Sequence, residues 1–466
     1  MLTLKKIYTK LLFLGIFFLP FNSYKGIDFL GEFSRESAFL FFCLGLLFFL
    51  LQTLLNSKVK FPFGNEVFLW LAIFVFYCFL CSLLNVFDIY GNYFKQTSGI
   101  ARFIKQFSVL VVLSVFFLIY FWKALKEFEV EKLLFKIRSI FLMSFIILWV
   151  YSFFEIIVVV LKKDQFLPVL HLFNYFPFTE VRLDEKYGRI SSVSFEPPFL
   201  AIYLITIAGW MFSYILTSKG AFKFMPTIGV LLMTFFSGSR TALVVIIIQL
   251  LVFLSIILKM KSYRKYFFYF LSLTAVGFTM ILIITKGSVL TSINEKLETL
   301  NFKENLTKSI SNKSRFGIQY SNLMVFKDHP VIGVGYGQQA FHNRNYYPDW
   351  ATKSNYEFPL MYLNENERSF PPGYNLYIRL MAETGIIGVG LFLFFLLVIF
   401  FKVKKIIKYS NNYERVLAIV LYVSFVGFII NWLQVDTFRI FGFWICLALL
   451  MCLNNFRTKE SNIGKT

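Results

Sequence analysis

The chain alternates long apolar runs with short, mostly basic joints. The hydrocarbon core of a bilayer takes about 20 mostly apolar residues per helix. Runs of that kind predict helices near 9–22, 37–55, 67–87, 104–122, 139–161, 198–217, 224–237, 241–258, 266–285, 376–401, 416–433 and 439–453. The pattern is that of an all-α polytopic membrane protein with about twelve transmembrane helices in a single integral membrane domain, 1–466. The stretch from Phe224 to Leu258 has a second reading as one kinked helix, which leaves eleven spans. That would put the flanking basic clusters on opposite faces, so two helices joined at Ser237-Gly238-Ser239-Arg240 fit better. At the N-terminus, Lys5, Lys6 and Lys10 precede a short apolar run, as in a signal peptide. The run ends in Pro20, Phe21 and Asn22 with no small-residue cleavage site, so a retained first helix is expected.

The basic joints orient the chain. With the N-terminus inside, the clusters at Lys58/Lys60, Lys123–Arg138, Lys219/Lys223, Lys259–Lys265, Lys402–Arg415 and Arg457–Lys465 all fall on the cytoplasmic side, as do both termini. Two longer loops then face outward, 162–197 and 286–374. The second is rich in Asn, Tyr, Gly and charge, and loops on a rigid scaffold commonly carry function.

Composition strengthens the membrane reading. Hydrophobic residues make up 58% of the 466, Phe alone occurs 63 times, and only 16% are charged. Soluble domains are nearer a quarter charged. The net charge of +21 is no nucleic-acid signal, because the Lys and Arg residues sit in short orienting clusters. Cys43, Cys78, Cys81, Cys446 and Cys452 lie in or beside apolar runs and read as small buried residues, with no disulfide framework. Neither a metal set nor a Ser-His-Asp arrangement can be assembled around His171, His329 and His342, so no metal and no cofactor are expected.

Four polar sites stand where polarity is expensive. Arg240 lies in SGSRTALV, at a helix start after Ser237 and Ser239, where a guanidinium and free backbone N–H groups suit a phosphate. The same Arg could instead snorkel to headgroups. Arg189 and Glu196 flank a helix entry in GRISSVSFEPPFLAIYL, with Pro197 and Pro198 suited to its first turn. Arg315 opens an amphipathic helix, about 315–326, that ends at Asp328-His329-Pro330 before GVGYG. Those glycines follow no strand and make no dinucleotide motif. Asn375, Arg379 and Glu383, at spacings of four, share one face of the helix after the long loop. An Arg–Glu pair there either faces a cavity or is self-contained.

In this order, SFEPPFLAIYL, SGSRTALV, Arg315 with HPVIGVGYG, and YNLYIRLMAETGIIGVG, the chain resembles the O-antigen polymerase and O-antigen ligase family of bacterial membrane proteins, over region 188–390. The resemblance implies a glycosyltransferase C-type-like fold in the inner membrane and a metal-independent, inverting glycosyltransferase. Its donor would be a glycan on undecaprenyl pyrophosphate, on the outer leaflet. It implies Arg240, Arg315 and Arg189 as catalytic or phosphate-binding residues. The residues themselves add Glu196 and Glu383 as candidate bases, and Tyr374, Asn375, Arg379, Glu383 and His329 as candidate substrate-binding residues. Tyr336, Tyr346, Tyr347 and Trp350 are candidates to stack on sugars. Membrane lipid and a chain-length regulator protein are the further partners to test. Ligase-like members tend to carry His before the Asn at the helix start; here it is Tyr374, which favours a polymerase of O-antigen, capsule or exopolysaccharide. The alternatives are a ligase acting on lipid A core, a flippase for the same lipid-linked glycan, and a cell-wall polymerase of the shape, elongation and division type. The chain shows neither the related halves nor the midplane polar residues of a transporter.

Overall fold

The computed structural model describes residues 2–55, 61–184, 188–261, 264–266, 268–269, 272, 309–410 and 412–463. Apolar runs become helices in register with the expectation: α1 (Leu2–Phe17), α2 (Ser37–Leu55), α3 (Glu66–Leu84), α4 (Gly99–Leu125), α5 (Val130–Val160) and α6 (Pro197–Thr217). They continue as α7 (Ala221–Phe236), α8 (Arg240–Lys259), α9 (Ile310–Asp328), α10 (Leu376–Tyr409), α11 (Asn412–Asn431) and α12 (Phe441–Ile463). The expected span 266–285, and the part of loop 286–374 before Ser309, lie outside the described residues. Among the described residues, helices α2, α3, α4, α5, α6, α8, α10 and α11, eight in all, are long and apolar enough to cross a membrane, and α7 and Phe441–Leu453 are shorter apolar helices. The named strands among the described residues are two-residue β1 (Tyr93–Phe94) and β2 (Thr97–Ser98), paired in one hairpin. The chain is an all-α polytopic membrane protein.

Several helices outrun their apolar cores. Helix α1 starts at Leu2, so Lys5, Lys6 and Lys10 ride on it rather than precede it. Arg138, expected in a basic joint, is buried within α5, where it donates to Thr217 and Ser213 and stacks on Tyr214. Helix α10 carries on past the expected residue 401 and takes Lys402, Lys404, Lys405 and Lys408 onto its last turns, where cations suit the helix dipole. The stretch 224–258 is two helices, broken where Gly238 takes a φ of 64°.

The contacts sort the helix ends into two sets. At one end Lys5 meets Glu127, Arg138 meets Thr217, and Lys402 meets Glu66. At the other, Asn22 meets Val193, Glu155 meets Ser191, Glu32 meets Arg439, and Arg379 meets Asp436. This second end gathers the four motifs. Between the ends, α6 is the central helix, buried from Leu204 through Phe212. Small residues let its neighbours approach: a Cβ on Gly209 would lie 2.9 Å from the Val420 carbonyl oxygen. Gln249 on α8 donates to the Ile205 and Val423 carbonyls, both at 3.1 Å, joining α8 to α6 and α11 by a side-chain amide inside the apolar core. Outward-facing residues such as Leu54 and Phe76 stay exposed, as lipid-facing positions do.

Candidate active site

The GRISSVSFEPP stretch is held by a carboxylate. Glu155, fully buried near the end of α5, accepts the N–H groups of Ser191 (3.0 Å) and Ser192 (2.8 Å). Two successive N–H groups converge on one anion because Ser192 is left-handed, with φ 55°, forming a backbone nest. Asn22, just after α1, accepts from Phe195 N at 2.7 Å, and Ile190 N donates to the last carbonyl of α7, at Phe236. The stretch thus lies across the ends of α1, α5 and α7. Glu196 follows at the N-cap of α6, exposed and with no capping bond, and Pro197 and Pro198 open the helix as expected. Beside it, Arg35 stacks on the Phe195 ring at 3.4 Å and Arg182 lies over the same ring at 4.6 Å.

That fold of the backbone sets Arg189 against the second motif. Its Nε and Nη2 donate to one oxygen of Asp184 at 2.9 and 2.7 Å, and its methylenes lie on Gly238. Any Cβ at 238 would come within 2.7 Å of the Arg189 Cγ and Cδ, on top of the strained positive φ. Ser239 caps α8 by accepting from Ala242 N, whereas Ser237 bonds back to the Thr234 carbonyl. Arg240 is the first helical residue, at the exposed rim. Motifs one and two therefore form one corner, with Arg189 and Arg240 on either side of Gly238.

The third and fourth motifs interlock. Helix α10 breaks at Gly385 (φ 64°, ψ −169°). The GVG segment fills the break: Val334 N donates to the Ala382 carbonyl at 3.0 Å, Gly335 N to Glu383 at 2.9 Å, and Ile386 N to Pro330 at 2.9 Å. The freed backbone groups are thus paired inside protein, which membrane depth requires. The approach is close enough to demand glycine on both sides. A Cβ at Gly333 would sit 2.4 Å from the Glu383 carbonyl carbon, and one at Gly385 would sit 2.2 Å from the Val331 oxygen. Tyr336, next in the segment, is buried; its N–H donates to Ser82 and its ring lies under Arg379. It is therefore closed to a sugar.

Arg379 stands at the centre of this knot. Its Nε donates to Glu383 (3.1 Å), Nη1 to the Asp436 carbonyl (2.8 Å) and Nη2 to Gln106 (3.1 Å). Gln106 in turn donates to Glu32 at 2.7 Å, and Glu32 faces Lys105 and Arg439. Burial pushes the Glu32 carboxyl up, but Arg439, Lys105 and Arg379 outweigh it and hold the group below its ordinary range. Arg102 stacks on Phe370 at 3.6 Å and donates to the Gly337 carbonyl. Asn375 caps α10, its oxygen taken by Tyr377 N and Ile378 N. Arg379, Glu383 and Asn375, expected to bind substrate, direct these groups to the protein itself.

Arg315 is placed differently. It projects from α9, and its guanidinium lies 5.4 Å from the Tyr374 ring centre. Its buried Nε has no hydrogen-bond partner among the described residues. Tyr374, left-handed with φ 56°, is hydrogen-bonded through its hydroxyl to Tyr362 at 2.9 Å, and Tyr362 donates to Glu357 at 3.0 Å. Helix α9 extends to Asp328, and the expected turn at His329 follows. His329 is exposed, its ring 6.0 Å from that of His342. Burial first, and the neighbouring His329 after it, push His342 down to about 4. Tyr347 packs on Phe358, Tyr346 bonds Asp328, and Trp350 is partly exposed.

The segment before α10 is pinned by an unexpected cation. Lys95, left-handed at the tip of the β1–β2 hairpin and only 1% exposed, donates to three carbonyls: Met361 (2.6 Å), Asn364 (2.9 Å) and Glu367 (3.0 Å). Sequence reasoning also missed Glu155, Gln106, Asp436, Glu32, Tyr362 and Glu357. Glu155 did carry a signal, as a carboxylate inside the apolar run 139–161.

Residues 225–395 match the family described as O-antigen ligase. The match begins in α7 and ends in α10. It therefore contains Arg240, Arg315, His329, Tyr374, Asn375, Arg379 and Glu383, and leaves Arg189 and Glu196 before its start. No match is found among curated proteins. The family implies ligase- or polymerase-type transfer in polysaccharide synthesis. Residues 225–395 are therefore similar to the O-antigen ligase family, within a chain that is an all-α polytopic membrane protein.

Proposed function

We propose that the protein polymerises a bacterial surface polysaccharide, moving an undecaprenyl-pyrophosphate-linked glycan onto a second lipid-linked repeat unit at the outer face of the inner membrane. The observation that carries this reading is the contrast in how the arginines are used. Arg379 spends its donors on protein, whereas Arg315 makes no hydrogen bond to the described residues and lies beside Tyr374 at the start of α10. A guanidinium of that kind is suited to a pyrophosphate, with which it forms forked, charge-assisted bonds.

In this mechanism Arg315 and Arg240 hold the pyrophosphate and offset the charge that grows on it as the anomeric C–O bond breaks. The acceptor hydroxyl attacks the opposite face, inverting the anomeric centre. Arg189, fixed by Asp184 and Gly238, lines the corner next to Arg240. Glu196, exposed at the head of α6, is the candidate base of this reading. Tyr374, standing where ligase-like relatives tend to carry His, favours polymerase over ligase.

The test is complementation of a deletion strain. Arg315→Ala and Arg240→Ala are expected to leave single repeat units in place of long chains, and Arg240→Lys, which keeps charge but loses the fork, to restore little. Normal chain length in both alanine variants would overturn the assignment. Full-length lipid-linked chains that fail to reach lipid A core would point to a ligase instead.

A further inference from the structure

Tyr374, Tyr362 and Glu357 form a chain whose direction is fixed by proton count. A phenol has one proton to donate and lone pairs to accept with. Tyr362 donates its proton to Glu357 at 3.0 Å. The bond between the two phenols, 2.9 Å, must then run from Tyr374 to Tyr362. Tyr374 has thereby committed its proton away from Arg315 and retains a lone pair to accept another hydrogen.

The chain is also held in place. Gly373 N donates to Asp436, Leu376 N to the Trp432 carbonyl, and Gln319 on α9 reaches the Tyr374 carbonyl at 3.4 Å. Tyr362 packs edge-on to Phe358. The charged groups facing the phenols are Arg315, Glu357 and Asp436. Burial pushes both phenols above their ordinary range, with the Tyr362 bond and Arg315 opposing this at Tyr374. Neither phenol is therefore a standing anion near neutral pH, and a proton taken at Tyr374 has to be passed on.

We infer that Tyr374, Tyr362 and Glu357 are the proton relay of the transfer step, with Tyr374 as the group that touches the acceptor hydroxyl. The inference rests on the transferase reading above. As the acceptor oxygen bonds to the anomeric carbon, its O–H bond breaks. The C–O bond to pyrophosphate also breaks, and its electron pair leaves with the pyrophosphate beside Arg315. The acceptor proton goes to Tyr374 Oη, the Tyr374 proton to Tyr362 Oη, and the Tyr362 proton to the Glu357 carboxylate, which releases it to water. Tyr362 and Glu357 act through Tyr374 and are positioning residues of the relay.

The full-length protein in lipid nanodiscs, given undecaprenyl-pyrophosphate-linked repeat units extracted from the parent cells, provides the test. Tyr362→Phe and Glu357→Gln should each lower kcat about 100-fold, at the low end of general-base effects, with KM little changed. Glu357→Asp should restore much of the rate that Glu357→Gln loses. Wild-type kcat in both variants would overturn the relay and leave the polymerase reading standing. So would a loss confined to KM. If Tyr362→Phe fails to fold, Glu357→Gln, at a partly exposed side chain, decides alone. A wild-type protein that elongates nothing overturns the polymerase reading and the relay with it.

Discussion

Arg379 and Arg315 enter the sequence on equal terms, as arginines in the first turns of helices beside the long outer loop, yet the fold gives them opposite employment. Arg379 is 8% exposed and its guanidinium is divided among Glu383, Asp436 and Gln106. Arg315 touches a tyrosine ring, and its Nε has no hydrogen-bond partner among the described residues. The difference is one of surroundings: partners from α4 and from the connection before α12 converge on Arg379, whereas α9 carries Arg315 to the Tyr374 ring at the start of α10. One arginine holds the helix ends together, and the other is the one proposed to meet the pyrophosphate.

The sharpest way to break that comparison is to remove each guanidinium and measure folding. Arg379→Ala leaves Glu383 buried without a counter-charge and should cost about 3–5 kcal/mol. It should lower yield and thermal stability in detergent. Arg315→Ala should stay within about 0.5 kcal/mol of wild type, as for a substitution away from structural features. Equal losses in the two variants would end the distinction. Next in size is Gly385→Ala. It combines a positive φ with a Cβ driven to 2.2 Å from the Val331 oxygen, and should cost roughly 2–4 kcal/mol by strain and overpacking. Gly390→Ala, with open space around its Cβ position, is the matched control in the same thermal melts.

Asn375→Ala removes the cap of α10 and should cost about 1 kcal/mol, while Asn375→Asp should retain most of it. If Asn375→Ala melts as wild type but loses chain elongation, Asn375 belongs with Arg315 and not with Arg379. The smallest effect is a pH dependence. The Glu32 carboxyl is held low by Arg439, Lys105 and Arg379, so its contribution is present above the unfolded value, about 4.3, and fades as pH falls through the lower folded one. Glu32→Gln should flatten the acid side of the melting-temperature curve and leave the neutral side nearly parallel to wild type.

The helices were legible because their signal is local. Apolar runs of bilayer length and Ser239 before α8 state their own roles. So did the break at residues 237–239, through the charge of the joints on either side. The fate of each polar group was not legible, because it depends on partners far along the chain. Gln106 lies in an otherwise ordinary apolar run, and Asp436 in a short connection, and nothing in their spacing joins them to Arg379. The phenol of Tyr336 looked available to a sugar until the GVG segment carried it inside. The Tyr374–Tyr362–Glu357 chain was hidden for the same reason, since Tyr362 and Glu357 sit in a loop that shows no periodicity.

The break at Gly385 also has a consequence in time. The ribosome delivers Pro330, Val334 and Gly335 before it delivers the carbonyls and N–H of α10 that they pair with. The native pairing of the GVG segment therefore forms only after α10 has been made. Biogenesis of this protein thus contains an obligatory late stitch. Mutations at Gly333 or Gly385 should therefore be felt by the cell's membrane quality control before any glycan is ever bound.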